Sequence, residues 1–346
     1  MGTAVIIGHL GIIMNFILGL GVSAPGNGFS RDPGKIVNDK SDRMEFSLTV
    51  SEGIALPVEW ARGGHAGGKV EGNIIVAGGN RWNDEKTTKF WLKNSAVFKN
   101  DRWVAGPDLP IPMAYSAYAC DKSGLFIAGG TQDGTTVLRN VYRLNSLKKG
   151  EGWKILPQLP EAVCYGAGAI LDGKFYVSCG SNGTEKTTRM FVLDVRETGS
   201  KWRECKSLPG VARNFPSLVA CGKFLYLFGG LSETSPLTPL NDLFRYNPER
   251  DEWLKMKDLP LKGYAWVSQP VDKNHILVTG RADGTIHKGI WLIDLKDLSM
   301  KEIGMLKNPS TTAPLIRVTE KKWMLIAGEP DANKNRTEKV NVITFR

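Results

Sequence analysis

Apolar residues along most of this chain come in short runs of β-branched and aromatic side chains, each closed by glycine and followed by polar positions. Examples are "IIVAGGNRW", "LFIAGGTQD", "FYVSCGSNG", "LYLFGGLSE", "ILVTGRADG" and "LIAGEPDANKNRTEKV". No 3.6-residue period is sustained after the N-terminus, so the pattern predicts strands rather than helices. The closing glycines Gly79, Gly130, Gly180, Gly230, Gly280 and Gly328 stand 51, 50, 50, 50 and 48 residues apart. A Trp followed by Leu-Pro keeps the same beat: Trp103 with Leu109-Pro110, Trp153 with Leu159-Pro160, Trp202 with Leu208-Pro209 and Trp253 with Leu259-Pro260. Each glycine leads into a polar loop and a further strand, as in "NVYRLN", "RMFVLDV", "DLFRYNP" and "GIWLIDL". The chain therefore reads as all-β and built from six equal units.

A unit of about 50 residues with a glycine-closed strand, a later aromatic strand and a Trp resembles the kelch repeat, whose unit is one four-stranded blade of a β-propeller. The resemblance covers residues 43–346 and implies a six-bladed kelch β-propeller. The sixth unit has strands near 311–318, 322–327 and 340–345 and then stops one strand short. The segment "RMEFSLTV", residues 43–50, precedes Leu56-Pro57 where the Trp strands sit in other units. It is expected to close the last blade as its outer strand, removing an open sheet edge.

The N-terminus differs. Residues 4–22 contain no Lys, Arg, Asp or Glu and end in "GVSA", so residues 1–24 read as an export signal, cleaved or retained as an anchor. Export places the protein in a periplasm if the source is bacterial. Five cysteines, Cys120, Cys164, Cys179, Cys205 and Cys221, form no Cys-x-x-Cys pair and read as small buried side chains. The formal charge of +10 is spread over loops with no nucleic-acid motif, and it suits attraction of an acidic small molecule better than a nucleic-acid partner.

In a propeller the loops at one mouth of the central channel converge from every blade. The residues after the closing glycines are Asn80, Thr131, Ser181, Leu231, Arg281 and Glu329, so one unit alone supplies an acid and the preceding unit a base. "GEPDANKNRT" resembles the Gly-Glu, short loop, Arg-Thr signature of the bacterial N-acetylneuraminate mutarotases (epimerases), kelch proteins that interconvert the anomers of sialic acid. Units three to six, with "GSNGT", "VARNFPSLVACGKFLYLFGG" and "NDLFRYNPERDEW", resemble the opening units of that family. Units one and two, with "GGHAGGKVEGNIIVAGG" and "LPIPMAYSAYACDKSGLFIAGG", resemble its last two. The order is that of a cyclically permuted branch, which a ring with adjacent ends tolerates.

This resemblance implies an isomerase that needs no metal or other cofactor and acts on an acidic keto-sugar. Glu329 is the implied acid/base and Arg336 the implied partner of the substrate carboxylate, with Lys334 a second basic residue in a loop one residue longer than the family pattern. Arg213, His65, Asn80, Arg281 and Tyr115 are candidate substrate contacts. Anomerisation needs only a proton taken from the anomeric hydroxyl and one given to the ring oxygen. The alternative is a non-catalytic propeller that binds a carbohydrate or a protein. A copper oxidase on the same repeat is excluded, because His9, His65, His275 and His287 supply no ligand set.

Overall fold

Each glycine-closed run is the second strand of a four-stranded antiparallel sheet. The computed structural model describes residues 46–232, 237–282 and 285–346. Among these residues are six such sheets, the blades of a propeller. Their innermost strands are Ala66–Val70, Ala117–Asp121, Ala167–Leu171, Ser217–Cys221, Gly263–Pro270 and Leu315–Thr319. Successive inner strands are neighbours around the channel, and Leu315–Thr319 lies beside Ala66–Val70 to complete the ring.

The closing strand is Leu48–Glu52, which pairs antiparallel with Thr337–Phe345 in the register Leu48 to Phe345 through Glu52 to Asn341. It occupies the outer place in blade 6, as the missing strand of the last repeat required. The apolar segment 1–24, with the signal reading and His9, lies outside the described residues, as do residues 43–45.

The repeated sequence signals have repeated mechanical roles. The indole N–H groups of Trp103, Trp153, Trp202 and Trp253 donate to the carbonyls of Ile54, Pro107, Pro157 and Lys206 at 2.9, 2.9, 2.7 and 2.8 Å. Each ties an outer strand to the chain entering from the blade before it. The leucines that follow, Leu56, Leu109, Leu159, Leu208 and Leu259, are all buried. Apolar side chains divide into six clusters, one in each wedge between adjacent blades. The wedge between blades 5 and 6 takes in Phe46, Leu48 and Val50 from the closing segment. At roughly 2 kcal/mol for each large apolar side chain removed from water, these wedges are the main source of stability.

All five cysteines are free thiols, with Cys164, Cys179, Cys205 and Cys221 buried and Cys120 half-buried. Among the described residues no helix is long and apolar enough to cross a membrane.

Candidate active site

One mouth of the channel is drawn together by a ring of hydrogen bonds, one link per blade. The amides of Tyr115, Tyr165, Phe215 and Ala265 donate to the carbonyls of Gly64, Tyr115, Tyr165 and Phe215 at 2.7, 2.9, 2.7 and 2.9 Å. The Thr311 hydroxyl donates to the Ala265 carbonyl at 2.7 Å, and the Gly64 amide donates to Thr312 at 2.8 Å, completing the circuit. Gly64, Tyr115, Tyr165, Phe215, Ala265 and Thr312 all have φ between 50° and 65°. A left-handed backbone costs roughly 1–2 kcal/mol at each non-glycine position, and strain of this kind persists only where the surrounding structure enforces it.

The ring also arranges aromatic side chains. Tyr115 packs on Tyr165 with centroids 5.1 Å apart, Tyr165 on Phe215 at 4.8 Å, and Phe215 on Tyr264 at 6.4 Å. They form an aromatic floor on the side of the closing-glycine loops. On the other side is a channel cavity of about 670 Å³, lined from Gly67, Ser116, Gly166 and Pro216 down to the hairpin turns at Glu71 and Lys122. None of the floor rings lines that cavity.

The loop residues predicted to converge hold equivalent positions in their blades. Asn80, Thr131, Ser181, Leu231, Arg281 and Glu329 pair with Gly63, Ala114, Cys164, Asn214, Tyr264 and Thr311, each one residue before the ring member in its blade. Glu329 and Thr311 exchange both backbone hydrogen bonds, at 2.9 and 3.0 Å, which fixes the Glu329 backbone at the rim.

Glu329 and Arg336 meet. The guanidinium Nη2 lies 3.2 Å from Glu329 Oε1, and the same oxygen accepts the Tyr115 hydroxyl at 3.0 Å. Among the described residues Oε2 has no protein partner, so one face of the carboxylate is committed and the other is open. Burial, and secondarily the Glu329 charge, push the Tyr115 hydroxyl far above the ordinary tyrosine range, so it is a neutral donor at physiological pH. Tyr165 is pushed up to about 12 by burial as well.

Arg336 is more constrained than its implied role requires. Its Nε and Nη2 donate to Oδ1 of Asn80 at 3.1 and 2.7 Å, and its Nη1 donates to the Asn335 carbonyl at 2.8 Å. Its side chain is only 7 % exposed. Asn80 is fully buried and donates to the Gly63 carbonyl at 3.0 Å, so it holds Arg336 in place instead of facing a ligand. Gly63 explains the close packing: a Cβ there would come within 2.8 Å of Arg336 Cδ and Nε and 2.9 Å of Glu329 Cγ.

The other candidates separate. Arg281 reaches the floor, donating to the Tyr264 hydroxyl at 2.8 Å with its guanidinium 5.0 Å from that ring's centre. Arg213 is fully buried and forms a two-pronged pair with Asp242 while donating to the carbonyls of Val211 and Gly229. It braces blade 4 and does not face the mouth. His65 is buried with Nε2 3.1 Å from the Ile326 carbonyl, and burial, then the Arg62 charge, hold its pKa well below the usual value. It is a neutral packing residue behind Gly79, not a rim contact.

Sequence reasoning did not single out Lys89, Trp82, Trp91, Tyr165, Phe215 or Tyr264. Lys89 and Trp91 lie on a small two-stranded arm, Asn80–Trp82 paired with Lys89–Trp91, that leaves blade 1 at its closing glycine. Lys89 Nζ is 4.3 Å from the Trp91 ring centre, 5.1 Å from Tyr115 and 5.6 Å from Trp82. Lys334 approaches Trp82 at 4.4 Å, bringing the long sixth-blade loop against the arm. The available signal was the 50-residue spacing of Tyr115, Tyr165 and Phe215, which follows the blade repeat. Among the described residues no cluster of His, Cys, Asp and Glu is placed to hold a metal ion.

Residues 156–298 match a family model described as N-acetylneuraminate epimerase. This bears out the family resemblance over blades 3 to 5. The chain is 29% identical over 188 residues to an N-acetylneuraminate epimerase of Haemophilus influenzae (strain PittEE), covering 53% of this chain and 48% of that protein. It is 31% identical over 138 residues to an N-acetylneuraminate epimerase of Pasteurella multocida (strain Pm70), covering 39% and 35%. A Kelch domain-containing protein of Vibrio cholerae is 32% identical over 108 residues, covering 30% and 29%. The chain thus spans about half the length, or less, of the curated relatives it matches. Glu329, Arg336, Tyr115 and Lys89 all lie outside the segment matched by the family model.

Proposed function

We propose that this chain is a sugar mutarotase that interconverts the anomers of N-acetylneuraminate or a closely related acidic keto-sugar. The observation that carries the reading is the Glu329 carboxylate, fixed on one oxygen by Arg336 and Tyr115 and open on the other above an aromatic floor. A pure scaffold does not need an acid in this setting. The similarity to proteins named N-acetylneuraminate epimerase supports the substrate class.

The chemistry follows from the geometry. The open oxygen of Glu329 takes the proton of the anomeric hydroxyl, the electron pair of that O–H bond becomes the carbonyl π bond, and the ring C–O bond breaks. The ring oxygen leaves with its bonding pair and takes up the proton that Glu329 has just accepted, so the open-chain ketone and its new hydroxyl are both neutral and Glu329 is a carboxylate again. Rotation about the bond to the keto carbon and reclosure on its other face gives the second anomer, with the protons returned by the same route. Arg336 and the neutral Tyr115 hydroxyl hold the Glu329 carboxylate in one rotamer through Oε1, leaving Oε2 to meet the substrate. The floor rings suit the apolar face of a sugar ring.

The match confined to part of each protein agrees with a cyclically permuted order, since permutation limits how much of two chains aligns in one pass. An export signal at residues 1–24 with periplasmic residence remains part of the proposal and is tested by N-terminal sequencing of the secreted protein. The activity is tested by proton exchange NMR between the anomers of N-acetylneuraminate with and without protein. Faster exchange with the wild type and its loss in Glu329→Gln is the expected result; unchanged exchange with the wild type would favour the non-catalytic propeller.

A further inference from the structure

The substrate's carboxylate needs a cation, and the geometry of Arg336 makes it a poor choice. All three of its nitrogens are engaged, by Asn80, Glu329 and Asn335, and its side chain is nearly inaccessible. Opening that network to bind a carboxylate would take away the cation that positions Glu329. Lys334, the other basic residue of the loop, donates to the Lys86 carbonyl at 3.3 Å and stands against the far arm residue Trp82.

Lys89 has the opposite character. Among the described residues no carboxylate lies within ion-pair distance of its Nζ, and its surroundings are the faces of Trp91, Tyr115 and Trp82. The Tyr115 ring is shared: its face meets the Lys89 ammonium and its hydroxyl meets Glu329. A ligand resting on Tyr115 and reached by Glu329 therefore lies within reach of Lys89. An ammonium held by aromatic faces is positioned without being neutralised, so its full charge is available to an incoming anion.

We infer that Lys89, not Arg336, is the residue that binds the carboxylate of the acidic keto-sugar, with Trp91 and Trp82 positioning its ammonium and Arg336 reserved for holding Glu329. This deepens the mutarotase reading and rests on it. The anion would replace hydration lost on the arm, and the resulting pair would be shielded by the tryptophans.

The charges that face Lys89 define a pH signature. Burial, then the Arg336 charge from blade 6, lower its pKa to about 8, with Glu329 opposing from the same blade. Tyr115 from blade 2 stays neutral, and Lys334 adds a positive charge across Trp82. In the free protein Lys89 is therefore charged below pH about 8 and loses its proton above it.

The test compares N-acetylneuraminate with its methyl ester by exchange NMR from pH 6 to 9.5, with binding read in parallel by saturation-transfer NMR. The wild type should favour the acid, with kcat/KM for the acid falling above pH about 8 and the ester showing no such limb. Lys89→Met should lower kcat/KM for the acid by about tenfold to a hundredfold, mostly through KM, abolish the alkaline limb and leave the ester within about threefold. Lys89→Arg should restore the preference for the acid and move the limb to higher pH. A Lys89→Met protein that still prefers acid to ester as strongly as wild type overturns the inference while leaving the mutarotase intact. A wild type that neither binds nor exchanges either compound overturns the functional reading, and this inference with it.

Discussion

The Tyr115 hydroxyl donates to Glu329 Oε1 at 3.0 Å, joining residues 214 positions apart in the sequence. Blade 2 supplies the phenol and blade 6 the carboxylate, so the bond crosses blade 1 at the rim. The ring of hydrogen bonds beneath makes this possible by setting Tyr115 in a left-handed backbone conformation, φ 56°, that turns its side chain across the mouth. Site and closure of the propeller are therefore coupled: what holds the blades in register also sets the distance from phenol to carboxylate.

Replacing Glu329 with Gln should reduce anomer exchange by ~10²–10⁴-fold, the usual worth of a positioned acid/base group. Its effect on stability should exceed that of an exposed loop change, because Arg336 would lose its anionic partner while remaining largely buried. A loss of about 1–3 kcal/mol is expected by urea unfolding, limited because Asn80 and the Asn335 carbonyl still hold the guanidinium. Exchange that persists in a folded Glu329→Gln protein would remove Glu329 from the chemistry.

Gly63→Ala is the corresponding test of placement without a change of charge. The added methyl would sit 2.8 Å from Arg336 Cδ and 2.9 Å from Glu329 Cγ, so the pair must move. Displacement on the order of 1 Å typically costs ~10²-fold in rate. Exchange should fall by about that factor while the circular dichroism spectrum and the blade contacts persist. Wild-type exchange in Gly63→Ala would mean that the exact seat of the pair is unimportant.

Much of this was legible in the chain because a propeller repeats its backbone every 50 residues or so and the repeat fixes register. The residues after the closing glycines could be aligned without knowing any contact, and the acid at Glu329 stood out against four neutral equivalents and one base, Arg281. The closing strand was legible by counting, and Leu48–Glu52 takes that place. Arg213 was misjudged because its partner Asp242 lies 29 residues away on the next strand pair, and nothing local marks that carboxylate as buried beside it. His65 was misjudged for a similar reason, since its burial comes from Gly79 and Ile326 in other strands. Lys89 was missed because a Lys that follows two threonines in a polar loop reads as a solvated arm. Only the fold brings that arm over Tyr115.

Removing residues 46–52 should destabilise the ring without changing the site's composition. The deletion exposes the edge of Thr337–Phe345 along five paired positions and withdraws Phe46, Leu48 and Val50 from the wedge between blades 5 and 6. Those half-buried side chains contribute roughly 1 kcal/mol each, with the edge pairing in addition. A fall of about 5–10 °C in the unfolding midpoint is expected by calorimetry. An unchanged midpoint would show that this strand is not a structural closure.

Lys89 makes a stability prediction independent of activity. Its pKa is about 8 in the folded protein and near 10.5 when unfolded, so between these values the unfolded chain binds more protons. Folding stability attributable to Lys89 therefore rises with pH across that window, as the cost of keeping a desolvated ammonium is relieved. The difference in urea midpoint between wild type and Lys89→Met should shift in favour of the wild type from pH 8 to pH 10. A difference that stays constant would mean that the folded protein leaves Lys89 in its ordinary range.

The sharpest packing prediction comes from two equivalent arginines. Arg62 in blade 1 and Arg213 in blade 4 each precede the ring residue of their blade by two positions, and each donates through Nη1 to the carbonyl of a glycine at the strand-closing turn, Gly78 or Gly229. Arg213 also has Asp242, whereas Arg62 has Asn94 at the corresponding strand entry, where only the Asn94 backbone carbonyl accepts from it, at 3.0 Å. Arg62 Nη2 and Asn94 Oδ1 are both buried without partners among the described residues. Burial lowers the Arg62 pKa to about 10, only partly opposed by the Asp108 charge, the response of a desolvated cation with no carboxylate within ion-pair distance among the described residues. Asn94→Asp would place that carboxylate without adding volume and allow the two-pronged pair already present in blade 4. A gain of about 1–2 kcal/mol at pH 7 is expected from urea unfolding, with Arg62→Met plus Asn94→Asp losing it, because the new carboxylate would then be unpaired. If Asn94→Asp is instead destabilising in the presence of Arg62, the desolvation cost of the pair exceeds its attraction, and the blade 4 brace exists for geometry rather than for stability.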